Sequence, residues 1–385
     1  MYPPVEWGGL FQRPQHLARE FSKRLESVIY IQPAGLRNPR LLDLRRIKGF
    51  YSSDLYHLPN KAVNKGLVIK RLPFIPFHGL IFVEAINAAI FDSFVKRLDK
   101  DHRQAPCLLW VAAPAPFFAK SKVVQAEFPL VFDWLDDYAI FTHLSKKVVE
   151  MQYELAVKAD LVFASSRALV ERAKQHRPEN VFFLPNGVDL NHWRCKYRGR
   201  LRGKIAGSGK IVGYFGTLSH WIDRKLVMDM ARRHPNWAFV FIGPRADNGE
   251  LTQIFELPNC LHIPRVDYKE LPEFACDFDV CWMPFKINAL TISINPVKVY
   301  EYLAMGKPVV VPEFPDLEDI NDVLLMAGSS INEWDSALER AFEHGQNPKL
   351  LKQRQDKVKE YSWESIADRA INVIDEAGVI CKRRG

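Results

Sequence analysis

A lysine and a glutamate, Lys298 and Glu301, follow a predicted helix start and carry side chains suited to a phosphorylated ligand. Asn295 suits the N-cap of this helix and Pro296 its first position, where a missing N–H costs nothing. The unpaired N–H groups and the dipole at a helix N-terminus attract phosphate, and Lys298 adds a positive charge. One turn further on, Glu301 can accept hydrogen bonds from a ribose. The alternative is an ordinary helix on which both side chains are solvated.

The run from Pro296 to Val310, Pro-x-Lys-x-x-Glu-Tyr-x-Ala-x-Gly-Lys-Pro-Val-Val, resembles the donor-binding segment of GT-B glycosyltransferases close to family 4. The resemblance implies that Lys298 or its neighbours, Asn295 included, meet the diphosphate of a nucleotide-sugar and that Glu301 meets its ribose. Many such enzymes carry a second glutamate that faces the sugar, eight positions before the first. This chain has Ser293 there, so its sugar contacts differ from that pattern.

Three carboxylates, Asp133, Asp136 and Asp137, follow the short apolar run at 130–132. Ligands of open α/β sheets lie at the carboxyl ends of the strands, and a sugar hydroxyl that attacks an anomeric carbon must lose a proton. Enzymes of the resembled group carry an aspartate at this position. We predict Asp133 as a catalytic base, with Asp136 as the second candidate. The alternative is that Asp136 or Asp137 caps a helix at about 139–149.

The resemblance also implies further contacts with the donor. Gly216 and Thr217 follow a predicted strand at 210–215, and a glycine turn there lies near the donor phosphates in similar enzymes. Arg245, after the next strand, is a candidate for stabilising the leaving diphosphate. The backbone around Arg265 and Val266 holds the base in similar proteins.

A Gln-Arg-Pro-Gln-His run near the start of the chain resembles the N-terminal loop of some bacterial polysaccharide glycosyltransferases, the teichuronic-acid type among them. The resemblance implies that Arg13 and His16 meet acceptor or donor phosphates, while the alternative for Arg13 is a solvated helix start. A strand should precede this loop in the resembled fold. Residues 1–6 contain two prolines, so we expect that strand to be short, displaced or missing.

Strands and helices alternate in both halves of the 385-residue chain, which predicts two doubly wound, Rossmann-like α/β domains. In the GT-B fold such domains face a cleft, and the C-terminal helix crosses back to the first domain. We predict an N-terminal acceptor-side domain at 1–193, a linker at 194–209, a nucleotide-sugar-binding domain at 210–363, and a crossover helix and tail at 364–385.

Charge is distributed unevenly along the chain. Residues 1–210 contain 33 Lys and Arg against 19 Asp and Glu, a net charge of +14, whereas the remainder carries 20 against 26, a net charge of −6. Basic and bulky apolar residues interleave at 61–98, where a predicted helix covers 80–98. This pattern predicts contact with an anionic membrane surface, and the alternative is a packed helix with a basic rim.

The six cysteines are scattered without a close pair, which predicts free thiols in a reducing cytosol. No leader peptide and no run of about 18 apolar residues is visible. We therefore expect a cytoplasmic protein that is peripheral at the inner face of the plasma membrane.

The sequence predicts a bacterial cell-envelope glycosyltransferase that moves a sugar from a nucleotide-diphospho-sugar to a glycan or polyprenyl-linked acceptor. We expect no cofactor and no metal, since the Asp-x-Asp at 277–279 precedes a buried strand and reads as a helix-to-strand junction. A nucleotide-sugar epimerase on the same architecture is the alternative. A basic nucleic-acid-binding protein is a third interpretation, although no aromatic platform or reading helix supports it.

Overall fold

The fold is that of a computed structural model. It describes residues 1–8, 11–35, 38, 66–77, 79–101, 107–141, 144–194, 200–203, 205, 209–345 and 347–379. Several sequence features lie outside the described residues: the basic residues at 45–48 and at 61 and 65, much of the predicted linker 194–209, two of the cysteines (195 and 381), and the basic tail at 382–384.

The chain divides into two compact units. Unit 1 comprises Met1–Pro185 together with Ile366–Gly385, and unit 2 comprises Asn186–Ser365. The boundaries that the sequence predicts at 193, 210 and 363 stay predictions.

Unit 1 contains parallel β-sheet. One sheet pairs two strands and the other has the order β3-β4-β5-β6. The strands are β1 (Val28–Gln32), β2 (Leu67–Arg71), β3 (Leu109–Val111), β4 (Leu130–Trp134), β5 (Leu161–Ala164) and β6 (Val181–Phe183).

The first residues of the chain connect these two sheets. The Tyr2 N–H donates to the Trp110 carbonyl at 2.8 Å, and the Tyr2 carbonyl accepts from Ala112 at 2.9 Å. On the other side, the Met1 carbonyl accepts from the Ile31 N–H at 2.9 Å. The strand expected before the first helix is therefore reduced to a single bridged residue between β1 and β3.

Four helices of unit 1 are α1 (Arg13–Phe21), α2 (Ile81–Asp101), α3 (Lys146–Lys158) and α4 (Arg167–His176). The predicted helix at 80–98 is confirmed as α2. The predicted helix at 139–149 is wrong. Asp137 instead caps a 3₁₀ turn at Tyr138–Ile140 by accepting from the Ala139 N–H, and the α-helix begins at Lys146.

Unit 2 is one six-stranded parallel sheet with the strand order β12-β11-β10-β7-β8-β9. The six residues of β8 are all buried, as expected for a strand that is covered on both faces. The strands are β7 (Lys210–Phe215), β8 (Trp237–Ile242), β9 (Cys260–Ile263), β10 (Val280–Trp282), β11 (Val309–Pro312) and β12 (Leu325–Ala327).

The helix with the candidate lysine leads into β11. It begins one residue later than predicted, because Pro296 occupies the N-cap position and not the first helical position. Gly306 ends it with a φ of +74°, the left-handed conformation predicted for that glycine. The remaining helices are α5 (Arg224–Arg233), α6 (Leu271–Ala275), α7 (Val297–Ala304), α8 (Ile331–Gly345), α9 (Pro348–Lys357) and α10 (Trp363–Glu376), which enters unit 1 from Ile366 onward.

The cysteines depart in part from the prediction. Cys107, Cys260 and Cys281 are free thiols, but Cys276 is disulfide-bonded, so the prediction of free thiols is wrong for that residue. None of the helices in the described ranges combines the length and apolar character needed to cross a bilayer.

Candidate active site

The Lys298 side chain lies directly against the glycine turn that follows β7. A Cβ atom on Gly216 would lie 2.1 Å from Lys298 Cε and 2.9 Å from its Nζ. Gly216 also has a φ of +132°, which side-chain-bearing residues rarely adopt. The structure therefore brings together Gly216 and Lys298, which are widely separated in sequence.

A second glycine supports this turn from the neighbouring strand. Gly243, after β8, has a φ of +145°, and a Cβ atom there would lie 2.2 Å from the Gly216 carbonyl oxygen. The two loops are also joined by a hydrogen bond of 2.9 Å from the Leu218 N–H to the Pro244 carbonyl. Close backbone packing at the carboxyl ends of β7 and β8 thus fixes the turn beside Lys298.

The Lys298 ammonium group has no counter-ion in the part of the chain that the structure describes. Its side chain is half-buried and forms no ion pair or hydrogen bond there. Its nearest aromatic neighbour is Tyr214, whose ring centroid lies 5.8 Å from Nζ. The Tyr214 hydroxyl donates to the Thr217 carbonyl at 3.1 Å, which ties the ring to the same turn. This positive charge is available to a ligand.

No side chain caps the N-terminus of α7, and its first turn contains no acidic residue. Asn295 is engaged elsewhere: its Oδ1 accepts from the Asn186 N–H at 2.9 Å, and its Nδ2 donates to the Tyr300 hydroxyl at 3.0 Å. The prediction that Asn295 caps the helix is therefore wrong, and these bonds count against a donor-binding role. The helix end remains open to an anion.

Glu301 is partly buried, and burial raises the pKa of its carboxyl group to about 8, although Lys298 and the Trp193 indole each lower it. Trp193 is fully buried and stacks on Phe215 with ring centroids 4.7 Å apart. The Glu301 carboxyl group is therefore largely protonated at neutral pH and can both donate and accept a hydrogen bond.

The other predicted donor contacts differ in their availability. Arg245 is held within its own loop, since Nε and Nη2 donate to Asp247 at 3.0 and 2.8 Å and Nη2 also donates to Thr252 Oγ1 at 2.9 Å. This pairing counts against a phosphate contact. Arg265 is exposed and Val266 half-buried in the loop after β9, at the same edge of the sheet as the Gly216 turn.

Ser293 occupies a short 3₁₀ turn before α7. Its side chain is 7% exposed, and its hydroxyl donates to the Ala289 carbonyl at 2.7 Å. It therefore stabilises its own loop. The Asp-x-Asp residues are likewise structural: Asp277 accepts from the Leu201 N–H at 2.7 Å, and Asp279 accepts from the Ile211 N–H at 2.8 Å.

In unit 1, Asp133 and Arg13 form a buried ion pair. Arg13 Nη2 lies 2.8 Å from Asp133 Oδ1, and the two side chains are 5% and 0% exposed. Arg13 Nη1 also donates to the carbonyls of Leu184 and Pro185 at 2.9 and 2.7 Å. The predicted contact of Arg13 with substrate phosphates and the predicted base role of Asp133 both conflict with this burial, so we move the candidate base to Asp136.

The two neighbouring aspartates differ from Asp133. Asp137 is buried, caps the 3₁₀ turn and pairs with Arg172. Asp136 is partly exposed, and burial raises the pKa of its carboxyl group. His16, the second predicted cleft residue, is 7% exposed in α1 and lies edge-on to Phe11 at 5.6 Å.

Two parallel α/β units, the second with glycine turns at the carboxyl ends of β7 and β8, fit a GT-B fold, and solved structures agree over nearly the whole chain. The sucrose-phosphate synthase of Thermosynechococcus elongatus matches with a TM-score of 0.67 at 14% identity, covering 97% of this chain and 95% of that one. Anabaena Alr3699/HepE, solved with UDP and glucose, matches with a TM-score of 0.64 at 15% identity, covering 97% and 99%. The predicted fold is confirmed.

Among curated sequences, the chain is similar to TuaH of Bacillus subtilis, which is named a teichuronic acid biosynthesis glycosyltransferase. The two are 26% identical over 224 residues, which span 54% of this chain and 56% of TuaH. This chain thus spans little more than half the length of that relative. No protein-family model matches the chain.

Two aromatic residues beside the candidate donor site, Tyr214 and Trp193, were not predicted from the sequence. Tyr214 lies inside the apolar run of β7 and Trp193 near the predicted linker, and neither position matches a binding motif. The unusual placement of a tryptophan beside a basic, glycine-containing stretch is the signal that could have drawn attention to Trp193.

We predict that Asp133→Asn lowers the free energy of unfolding by about 3–5 kcal/mol, because it leaves the Arg13 charge buried without a counter-ion. Urea denaturation measures this change. Asp368→Asn is the matched control, since it breaks the exposed pair of Asp368 with Arg24 in the same unit and should cost less than about 1 kcal/mol. Equal effects of the two substitutions would contradict a structural role for the buried pair.

The raised pKa of Glu301 predicts a pH-dependent stability. Between its ordinary pKa of 4.5 and its folded pKa of about 8, the native state binds more protons than the unfolded state. Stability from this group is therefore complete below pH about 4.5 and is lost as the pH rises through about 8. We expect the melting temperature of Glu301→Gln to fall less between pH 5 and pH 8.5 than that of the native protein. Parallel curves would show that Glu301 is ionised throughout this range.

Proposed function

We propose that this protein is a glycosyltransferase that uses a nucleotide-diphospho-sugar as donor. The observation that carries the proposal is the half-buried Lys298 ammonium group, which lies against Gly216 and has no counter-ion within the described residues. Two phosphate groups satisfy this arrangement, since the open N-terminus of α7 supplies N–H groups beside the lysine. Binding of UDP by Anabaena HepE, which shares the fold, supports the proposal.

In the proposed complex, Glu301 lies one helical turn beyond Lys298, where it can hold the ribose hydroxyls. The loop with Arg265 and Val266 binds the base through its backbone. The similarity to glycosyltransferases of known fold supports this assignment, although Arg245 and Asn295 are already engaged in hydrogen bonds.

Transfer breaks the bond between the anomeric carbon and the diphosphate oxygen, so negative charge develops on the leaving diphosphate. Lys298 and the N–H groups of α7 are positioned to stabilise that charge without a bound metal ion. The acceptor hydroxyl forms the new bond to the anomeric carbon and releases a proton. Asp136 is the candidate base in unit 1, because it is the partly exposed member of the aspartate group.

The acceptor that we propose is a bacterial cell-envelope glycan or its polyprenyl-linked precursor. The similarity to TuaH, whose name places it in teichuronic acid biosynthesis, supports a polysaccharide acceptor. With such an acceptor, we propose a cytoplasmic protein that contacts the inner face of the membrane.

An exposed apolar patch in unit 1 supports the membrane contact. Ile81 and Phe82, at the start of α2, are 69% and 64% exposed, and three other large apolar side chains nearby are also exposed: Phe77, Leu80 and Ile86. A contiguous patch of exposed apolar side chains usually marks a surface that binds a protein or a membrane. The net charge of +14 on residues 1–210 favours an anionic lipid surface as its partner.

We predict that Lys298→Ala weakens binding of the cognate nucleoside diphosphate by about 1.5–3 kcal/mol, as expected for loss of a charge-assisted contact. Isothermal titration calorimetry with UDP and with GDP identifies the base and measures the loss. Lys225→Ala is the matched control, because Lys225 is an exposed lysine of the same unit that pairs with Asp229. Unchanged affinity in Lys298→Ala would contradict the assignment of Lys298 to the donor site.

For an inverting reaction, we predict that Asp136→Asn lowers kcat by about 10²–10⁴ while nucleotide affinity stays the same, because only the base is lost. The anomeric configuration of the product, determined by NMR, shows whether the reaction inverts. Glu150→Gln, an exposed carboxylate change in the same unit, serves as the control. An inverting enzyme with near-native turnover after Asp136→Asn would exclude Asp136 as the base.

We predict that the protein floats with vesicles of anionic lipid, that high salt releases much of it, and that neutral vesicles bind less. The double substitution Ile81→Ser and Phe82→Ser should remove most of the binding, since it removes the two most exposed apolar side chains of the patch. Val157→Ser, an isolated exposed residue on α3, is the control. Equal flotation of both variants would show that this patch is not responsible for membrane binding.

A further inference from the structure

Unit 2 contains a cavity whose lining residues do not include Gly216, Lys298 or Glu301 of the candidate donor site. Its volume is about 420 Å³, within the range of sites for small molecules. We call this cavity the linker pocket, and its polar and apolar walls include Asn191, His192, Arg194, Lys269, Pro272 and Glu273.

Two cationic side chains line the linker pocket. Arg194 and Lys269 are exposed, and neither side chain forms an ion pair or hydrogen bond with a residue that the structure describes. The Glu273 carboxylate accepts from Arg200 at 2.9 Å and not from either of these two cations. A second carboxylate on this face, Glu270, also pairs with Arg200, at 3.4 Å. The cations therefore remain available to an anionic ligand.

The His192 ring, which forms one wall of the linker pocket, belongs to an aromatic stack. The His192 ring stacks on Tyr268 with centroids 4.1 Å apart and an interplanar angle of 11°. Trp193 lies edge-on to Tyr268 at 5.9 Å and is fully buried. Burial also lowers the pKa of His192, so this wall is neutral at physiological pH and the positive charge comes from Arg194 and Lys269. The linker pocket is therefore lined by a stacked, neutral imidazole and by two cations.

We propose that the linker pocket binds a small phosphorylated compound of the size of a sugar phosphate. A phosphate monoester carries close to two negative charges, which match the two cations that line the pocket. The Asn191 amide provides both donors and an acceptor for hydroxyl groups. The volume exceeds what a phosphate group alone needs and accommodates an attached monosaccharide. The site goes beyond the proposed function and does not depend on whether the donor site binds a nucleotide.

Calorimetry with glucose 6-phosphate, and with glucose as the uncharged probe, tests the proposal on the full-length protein. We expect glucose 6-phosphate to bind and glucose not to bind. The double substitution Arg194→Gln and Lys269→Gln should weaken glucose 6-phosphate binding by about tenfold or more, since it removes both charges. Lys225→Gln is the control for an exposed lysine of the same unit, and an unchanged melting temperature of each variant confirms that it folds.

A second arm separates the linker pocket from the donor site. Lys298→Ala should leave glucose 6-phosphate affinity unchanged, and the double variant should bind UDP or GDP as the native protein does. Loss of glucose 6-phosphate binding in Lys298→Ala, or its displacement by the nucleoside diphosphate, would overturn the proposal by placing the probe in the donor site. Equal binding of glucose and glucose 6-phosphate, undiminished binding in the double variant, or no binding of glucose 6-phosphate at millimolar concentration would also overturn it.

Discussion

A lysine held against a glycine without a counter-ion is the interaction on which the candidate donor site depends. Partial burial of the Lys298 ammonium group costs free energy, since the charge loses water and gains no ion pair among the described residues. The chain maintains this geometry with two glycines. The missing side chain of Gly216 leaves room for Lys298, and that of Gly243 leaves room for the Gly216 carbonyl. A side chain at Gly216 would displace the Lys298 side chain, and one at Gly243 would separate the loops after β7 and β8. An arrangement that costs stability and is over-determined by its surroundings is expected where a ligand supplies the missing charge.

The helix and turn of the candidate donor site were predictable because their signals are local. A proline beside the helix start, a lysine and a glutamate in its first two turns and a glycine at its end define α7 within a few residues. The N-cap prediction failed at Asn295 because the side chain of this residue has other partners. An asparagine before a helix suits an N-cap, but its amide instead bonds to Asn186 and Tyr300, and only the folded chain reveals these partners.

Unit 1 was less predictable because its polar side chains pair over long distances in sequence. Arg13 and Asp133 are 120 residues apart, and their ion pair cannot be deduced from spacing. A charged residue at the carboxyl edge of a sheet indicates a ligand contact or a buried pair equally well. The alternation of apolar runs still predicted the parallel strands, because that pattern depends on burial and not on specific partners. Arg245 and Asp247 are only two residues apart, so their ion pair could have been predicted from the sequence.

The protonation state of Glu301 connects the electrostatics of the site to its ligand. An ionised carboxylate beside Lys298 would offset the positive charge that attracts a diphosphate, whereas a carboxyl group with a pKa of about 8 leaves that charge intact at neutral pH. Lys298 lowers this pKa, so a diphosphate that neutralises the lysine removes the effect and favours the protonated form further. Binding of the nucleotide and binding of a proton by Glu301 then reinforce each other, as linkage requires. Nucleotide affinity would accordingly decline above pH 8, where the free protein must regain a proton to bind.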